Sequence, residues 1–189
     1  MNNLIIDDTF VKEGQQQAVI PGVWTRLSAL AIDIIFLSIV TIPIQYFNIT
    51  IWKNVPLLLG TSILSVVYKP FFEYSFGATI GKMAMHLTVL NYKHKKAKLS
   101  RILLRNVFYL IPNILSSLIT FLVFNRPDFS SMHSLLGYFE MMKNSGMFTA
   151  FNRTIFLVSI VDGIVALMTK KHRALHDYIG GTIVVQTRK

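Results

Sequence analysis

The chain has no cysteine, which removes disulfide frameworks, thiolate metal sites and cysteine nucleophiles together. It is also poor in charge: 15% of its 189 residues are Asp, Glu, Lys or Arg, against roughly 25% in ordinary soluble domains. Acids are the scarcer sign, nine Asp+Glu against nineteen Lys+Arg, for a formal net charge of +10. No internal repeat or low-complexity tract is visible. The stretch 1–21 is polar and acidic, without a basic segment followed by a short apolar core, so no cleaved signal peptide is expected.

What fills the sequence is apolar: 52% hydrophobic residues and a mean hydropathy of +0.50. These residues gather into four runs, at 27–47, 55–74, 102–124 and 154–169. The first contains one ionisable residue, Asp33, and at about 1.5 Å per residue reaches roughly 31 Å, enough to cross the hydrocarbon of a bilayer. The second is apolar until Lys69, Pro70 and Glu73, and its short connection to the first makes an antiparallel hairpin. The third carries Arg105 in its first turn and Pro112-Asn113 in its middle, where a kink is expected because proline removes a backbone donor. The fourth is short and interrupted by Asp162-Gly163. The expected fold is an all-α membrane protein with four transmembrane helices: a polar tail, 1–20, followed by one membrane domain, 21–189.

Orientation follows from retained positive charge. With the N-terminus inside, the inner segments hold twelve cations: Lys12, then Lys82, Lys93, Lys95, Lys96, Lys98 and Arg101, then Lys170, Lys171, Arg173, Arg188 and Lys189. The outer loops hold Lys53, Arg126 and Lys143. Both termini are therefore expected in the cytoplasm, in a bacterial inner membrane. The excess cations read as topology-setting and as facing anionic headgroups, with no nucleic-acid partner implied.

Outside the spans, residues 86–90 and 182–186 have β character and are expected to pair as a small cytoplasmic element. Gly77 and Gly81 have the spacing that lets helix backbones approach closely. Gly77-Ala-Thr-Ile-Gly-Lys82 is not a phosphate-binding loop, because only three residues separate its glycines and Met83 follows Lys82. In the outer loop, 125–153, Met132, Met141, Met142 and Met147 lie near His133. An interfacial amphipathic helix over 131–143, its apolar side against lipid, explains them better than soft-metal capture.

Ionisable groups inside a bilayer are costly, about 2.5–3.5 kcal/mol each on insertion scales, so they need a partner, a proton or water. Asp33 lies seven residues beyond Arg26 on nearly the same helix face, about 10 Å deeper. Asp162 lies at a similar depth, Arg105 near the inner surface, and Lys69 and Glu73 are spaced for mutual contact. Arg26, Lys69 and Arg105 can extend to the headgroups, which the shorter Asp33 and Asp162 cannot do. Two readings of Asp33 and Asp162 stand: a static network that pins helix packing, or a site that exchanges a proton for a cation. His172 and His176, with Asp177 adjoining, are a conceivable metal set without an apparent fourth ligand. The plainer reading is that His176 and Asp177 satisfy backbone donors and cations as the chain turns at Gly180-Gly181. No metal or cofactor is expected. No nucleophile with a base and an orienting group can be assembled, so an enzyme is not expected.

Arg26, Asp33, Gly77-Ala-Thr-Ile-Gly-Lys82 and Arg173-Ala-Leu-His176-Asp177, followed by Gly181-Thr-Ile-Val-Val, resemble in order and spacing the RDD family of small membrane proteins. By that resemblance Arg26 is the family arginine, Asp33 its first aspartate and Asp177 its second, and only the longer outer loop departs from the pattern. The resemblance implies transport of an unidentified ligand, and for some members sodium–proton antiport. On that expectation Asp33 is the carboxylate alternating between proton and cation, Arg26 the cation tuning it, and Asp177 a cytoplasmic latch. The rival expectation is a non-transporting scaffold or adaptor that binds lipid or a partner protein. Its support is that the outer half lacks ionisable lining and that four spans are few for alternating access without a homo-oligomer.

Overall fold

A computed structural model describes residues 18–144, 146–169 and 173–187. The element order is β1 (Ala18–Val19), α1 (Val23–Phe47), α2 (Val55–Phe76), α3 (Ile80–Ala84), β2 (Leu87–Asn91), α4 (Leu99–Arg105), α5 (Val107–Phe124), α6 (Leu135–Asn144), α7 (Gly146–Met168), α8 (Leu175–Gly180) and β3 (Thr182–Thr187). Four helical stretches are long and apolar enough to cross a membrane: Val23–Trp52, Val55–Phe76, Val107–Phe124 and Phe148–Met168. Most of their side chains face outward, where lipid is the matching solvent for Ile34, Ile39, Ile63 and Phe156.

Two expected spans change shape. The run at 102–124 is two helices broken at Asn106, which leaves Arg105 at the end of α4, outside the membrane-spanning α5. Both residues at the break turn onto a buried acid: the Asn106 amide donates to Glu73 at 2.8 Å and Arg105 Nε lies 3.3 Å from the same oxygen. Continuing the helix would remove these groups from Glu73, so the break falls here, whereas α5 runs through Pro112. The fourth run starts earlier than hydropathy alone indicated, because α7 begins at Gly146.

The chain divides into two compact units. One comprises Ile35–Tyr68 and Val107–Ile160. Its core joins Ile49, Leu58, Ile119, Val123, Phe124, Phe129, Tyr138 and Met142, with Met132 and Met141 packed alongside. The helix foreseen at 131–143 is α6, but Tyr138 and Met142 are buried in this core instead of facing lipid; Leu136 and Phe139 are exposed. Phe129 stacks on Phe124 with ring centroids 4.2 Å apart. Asn48 and Asn54 close the turn before α2 through reciprocal bonds of 2.7 and 3.1 Å, and the Asn54 side chain caps that helix at Leu57 N–H.

The other unit holds the described residues up to Ile34, Lys69–Asn106 and the described residues from Val161. The two strands foreseen in the sequence pair antiparallel, Leu87 opposite Gln186 through Asn91 opposite Thr182. A third, β1, adds to the far side of β3, in the order β1-β3-β2. Leu87, Val89, Val184, Ala29 and Ile102 form the small core beneath. Gly81 and Gly180 let helices meet at backbone distance. A Cβ on Gly81 would come to 2.0 Å from the Ala29 carbonyl of α1, and one on Gly180 to 2.5 Å from the Arg105 Cβ of α4. Gly77 has a different role from the close approach foreseen for it: its φ of +76° makes the turn out of α2.

Candidate functional site: a buried ion network

Arg105 is the centre of the second unit, 2% exposed at the end of α4. Its Nη1 donates to Asp177 Oδ1 on α8 and, at 2.9 Å, to the Thr182 hydroxyl on β3, and its Nε faces Glu73 of α2. Glu73 is itself 1% exposed and accepts from the Lys82 ammonium on one oxygen and from Asn106 on the other. Asp177 is fully buried, and its second oxygen accepts from Arg26 Nη1 at 2.7 Å. The result is one chain of alternating charge, Arg26–Asp177–Arg105–Glu73–Lys82. Isolated buried charges cost several kcal/mol each, so removing one member strands its neighbours. Burial alone would raise the Asp177 carboxyl, but the guanidinium groups of Arg105 and Arg26 hold it well below the usual carboxylate range. Arg105 is likewise held above its ordinary value by Asp177 and Glu73, against the effect of burial. Lys82 moves the other way: burial, aided by Arg105 and Lys69, pushes it down to about 8 despite Glu73.

The two aspartates of the spans do a job that their positions alone did not reveal. Asp33 accepts the Thr79 hydroxyl at 2.5 Å and the Gly81 N–H at 2.7 Å, the N-cap and second residue of α3. Asp162 accepts the His176 N–H at 3.1 Å and the His176 ring Nδ1 at 2.8 Å, and His176 is the second residue of α8. Each carboxylate from a membrane helix thus caps the start of a short helix, accepting from both a backbone and a side-chain donor there and complementing the local dipole. His176 Nε2 lies 3.4 Å from Asp177, so the ring stands between two carboxylates. A neutral imidazole has a single N–H for the pair. Burial first, then Arg105, lowers the His176 pKa below its ordinary value.

Of the foreseen residues, Arg26, Arg105, Lys82, Asp162, His176 and Asp177 belong to this network, and Arg26, foreseen as the cation tuning Asp33, donates to Asp177. Arg173 lies beside it, its guanidinium between the rings of Tyr92 and Tyr178 at 4.5 and 4.2 Å and donating to the Thr182 carbonyl at 3.1 Å. His172, considered with His176 as a metal ligand, lies outside the described residues. Glu73, read as merely the partner of Lys69, is a hub that also holds Lys82, Arg105 and Asn106. Asn106 was missed, its only signal being a polar side chain directly after Arg105, and Thr79 stood inside the Gly77–Lys82 motif without a role being read for it.

Four apolar helices long enough to cross a bilayer, with a buried ion network inside one compact unit, define a polytopic membrane protein. A profile of the RDD family matches residues 20–181, and the chain belongs to that family. No curated protein and no solved structure matches it.

Proposed function

We propose that this protein moves a monovalent cation against protons, an activity that the resemblance implies for some members of the family, and that Lys82 carries the exchanged proton. One observation carries the reading. Glu73 holds Lys82 on one oxygen while Asn106 and Arg105 attend the other, so Lys82 can release its proton without leaving a buried carboxylate uncompensated. The Lys82 side chain is 14% exposed, which gives the proton a way out. The charged groups around it are Glu73 and Lys69 of α2 and Arg105 of α4. In this reading Asp33 positions α3, and with it Lys82, by holding Thr79 and Gly81. Proton-gradient-driven sodium flux into proteoliposomes is the test. Lys82→Arg keeps the ion pair but stays charged at every working pH, so it abolishes flux while the protein stays folded. Undiminished flux through Lys82→Arg refutes the proposal.

The second reading is a scaffold, favoured by the capping of α3 and α8 by Asp33 and Asp162. It predicts no flux from the unaltered protein and a lower folded yield from Asp33→Asn.

A further inference from the structure

The segment from β2 into α4 is held rigidly and close to the end of a membrane helix. The Asn91 side chain accepts the N–H groups of Lys93 and Lys95 at 2.8 and 3.0 Å, which shapes the turn. Lys96 donates to the Ser75 carbonyl at 3.1 Å and lies 5.3 Å from the centre of the Tyr74 ring, in the last turn of α2. The loop is thereby fixed against the last turn of that helix.

Among the described residues, the exposed ammonium groups of Lys93, Lys95 and Lys98 make no hydrogen bond or ion pair. Beside them α4 buries Ile102 and Arg105 against the unit but leaves Leu99, Leu103 and Leu104 at 47%, 43% and 53% exposure. Three cations next to three outward leucines, tied to the end of a span, form an amphipathic surface. Its solvent is neither water nor the hydrocarbon interior.

We propose that this surface is a binding site for anionic phospholipid. The leucines enter the acyl boundary, and the lysines of the 93–98 loop engage the phosphodiester groups. The proposal does not depend on transport. Specificity for the anionic class follows because a zwitterionic headgroup offers the same phosphate with its charge already cancelled.

The purified protein in nanodiscs of equimolar phosphatidylglycerol and phosphatidylcholine, with retained lipids counted by native mass spectrometry, supplies the test. Phosphatidylglycerol is expected to be enriched at least about fivefold, the factor that a single cation near the surface is worth. The enrichment falls towards the bulk ratio in the Lys93→Gln, Lys95→Gln, Lys98→Gln triple variant, whose changes are all on the surface, and in ~0.5 M salt. Leu99→Ser with Leu103→Ser lowers retention of both lipids. Bulk composition around the unaltered protein, or enrichment that survives the triple variant, overturns the proposal. A separate arm adds inorganic phosphate to detergent-solubilised protein. Thermal stabilisation equal to that given by phosphatidylglycerol identifies a free-phosphate site and also overturns the lipid assignment.

Discussion

Gly81→Ala tests whether Asp33 acts by capping. A methyl group at this position would come to 2.0 Å from the Ala29 carbonyl and 2.9 Å from both the Asp33 Cγ and its backbone nitrogen. Backbone atoms cannot swing aside as a side-chain tip can, so α1 and α3 must separate. Moving the carbonyl contact from 2.0 Å to the roughly 3.4 Å of ordinary contact needs about 1.4 Å. An opening of that size carries the Asp33 bonds to Thr79 and Gly81, now 2.5 and 2.7 Å, beyond hydrogen-bond range. Two bonds to a charged acceptor are worth about 1.5–3 kcal/mol each. Alanine returns about 1 kcal/mol of helix propensity. The net loss is therefore about 2–5 kcal/mol, a fall in melting temperature of at least about 4 °C for a chain of this size. Gly60→Ala and Gly163→Ala are the controls, because a Cβ at either meets nothing within 4 Å. Thermal unfolding in one detergent, followed by intrinsic fluorescence, compares the three. If Gly81→Ala melts with the controls, the close approach of α3 to α1 and the capping role of Asp33 are both wrong.

Arg105→Met removes the cation shared by Asp177 and Glu73 and leaves two buried carboxylates short of a partner; a loss of about 3–5 kcal/mol is expected, read as folded yield after detergent extraction. His176 has a folded pKa below its ordinary value, so the unfolded chain takes up the proton first as pH falls. Its contribution to stability is present above about pH 6.5 and lost on acidification below it. Melting curves between pH 7.5 and 5.5 should show this decline, and His176→Asn, which keeps a donor for Asp162, should flatten it. In the other unit, Phe129→Ala takes a 2%-exposed ring from its stack on Phe124 and should cost about 3–5 kcal/mol in the same melting assay, with no effect on sodium flux per folded molecule. Lys82→Arg should behave in the opposite way, melting normally and carrying no flux.

The spans were readable because lipid imposes a coarse rule: long apolar runs must be helices, and α1, α2 and α5 obey it. The start of α7 was not readable in this way. Gly146 through Arg153 is helical without being uniformly apolar, since a helix can extend past the hydrocarbon wherever its backbone bonds close on themselves. The strands β2 and β3 showed their alternation; β1 is two residues long and has no period to show. The site was only half legible for a similar reason. Charges placed at expense stand out in an apolar sequence, as Arg26, Asp33, Arg105 and Asp162 do, whereas Asp177 stands out only beside His176 and by resemblance to the family motif. Which charge meets which depends on where the chain folds back. Glu73 and Lys82 come together only because Gly77 turns the backbone between them, and no spacing on one helix would pair them.

That same dependence on chain return separates Arg26, Asp33 and Asp177, the arginine and two aspartates singled out by resemblance, into two devices. Arg26 and Asp177 are 151 positions apart and bond directly, so this pair fastens the first helix to α8 near the far end of the chain. Asp33 is one heptad from Arg26 on the same helix, yet its carboxylate is given to α3. An arginine with one aspartate is a tie between distant segments, and the other aspartate is a cap. Their substitutions should therefore differ in kind. Lysine at 26 retains a cation for Asp177 and should be tolerated, whereas asparagine at 33 retains an acceptor but loses the charge that suits the start of α3. A cycle combining Arg26→Lys with Asp33→Asn tests this through its coupling energy. Two devices on separate elements should give additive losses within about 0.5 kcal/mol, and a larger coupling would mean that the three residues work as one site after all.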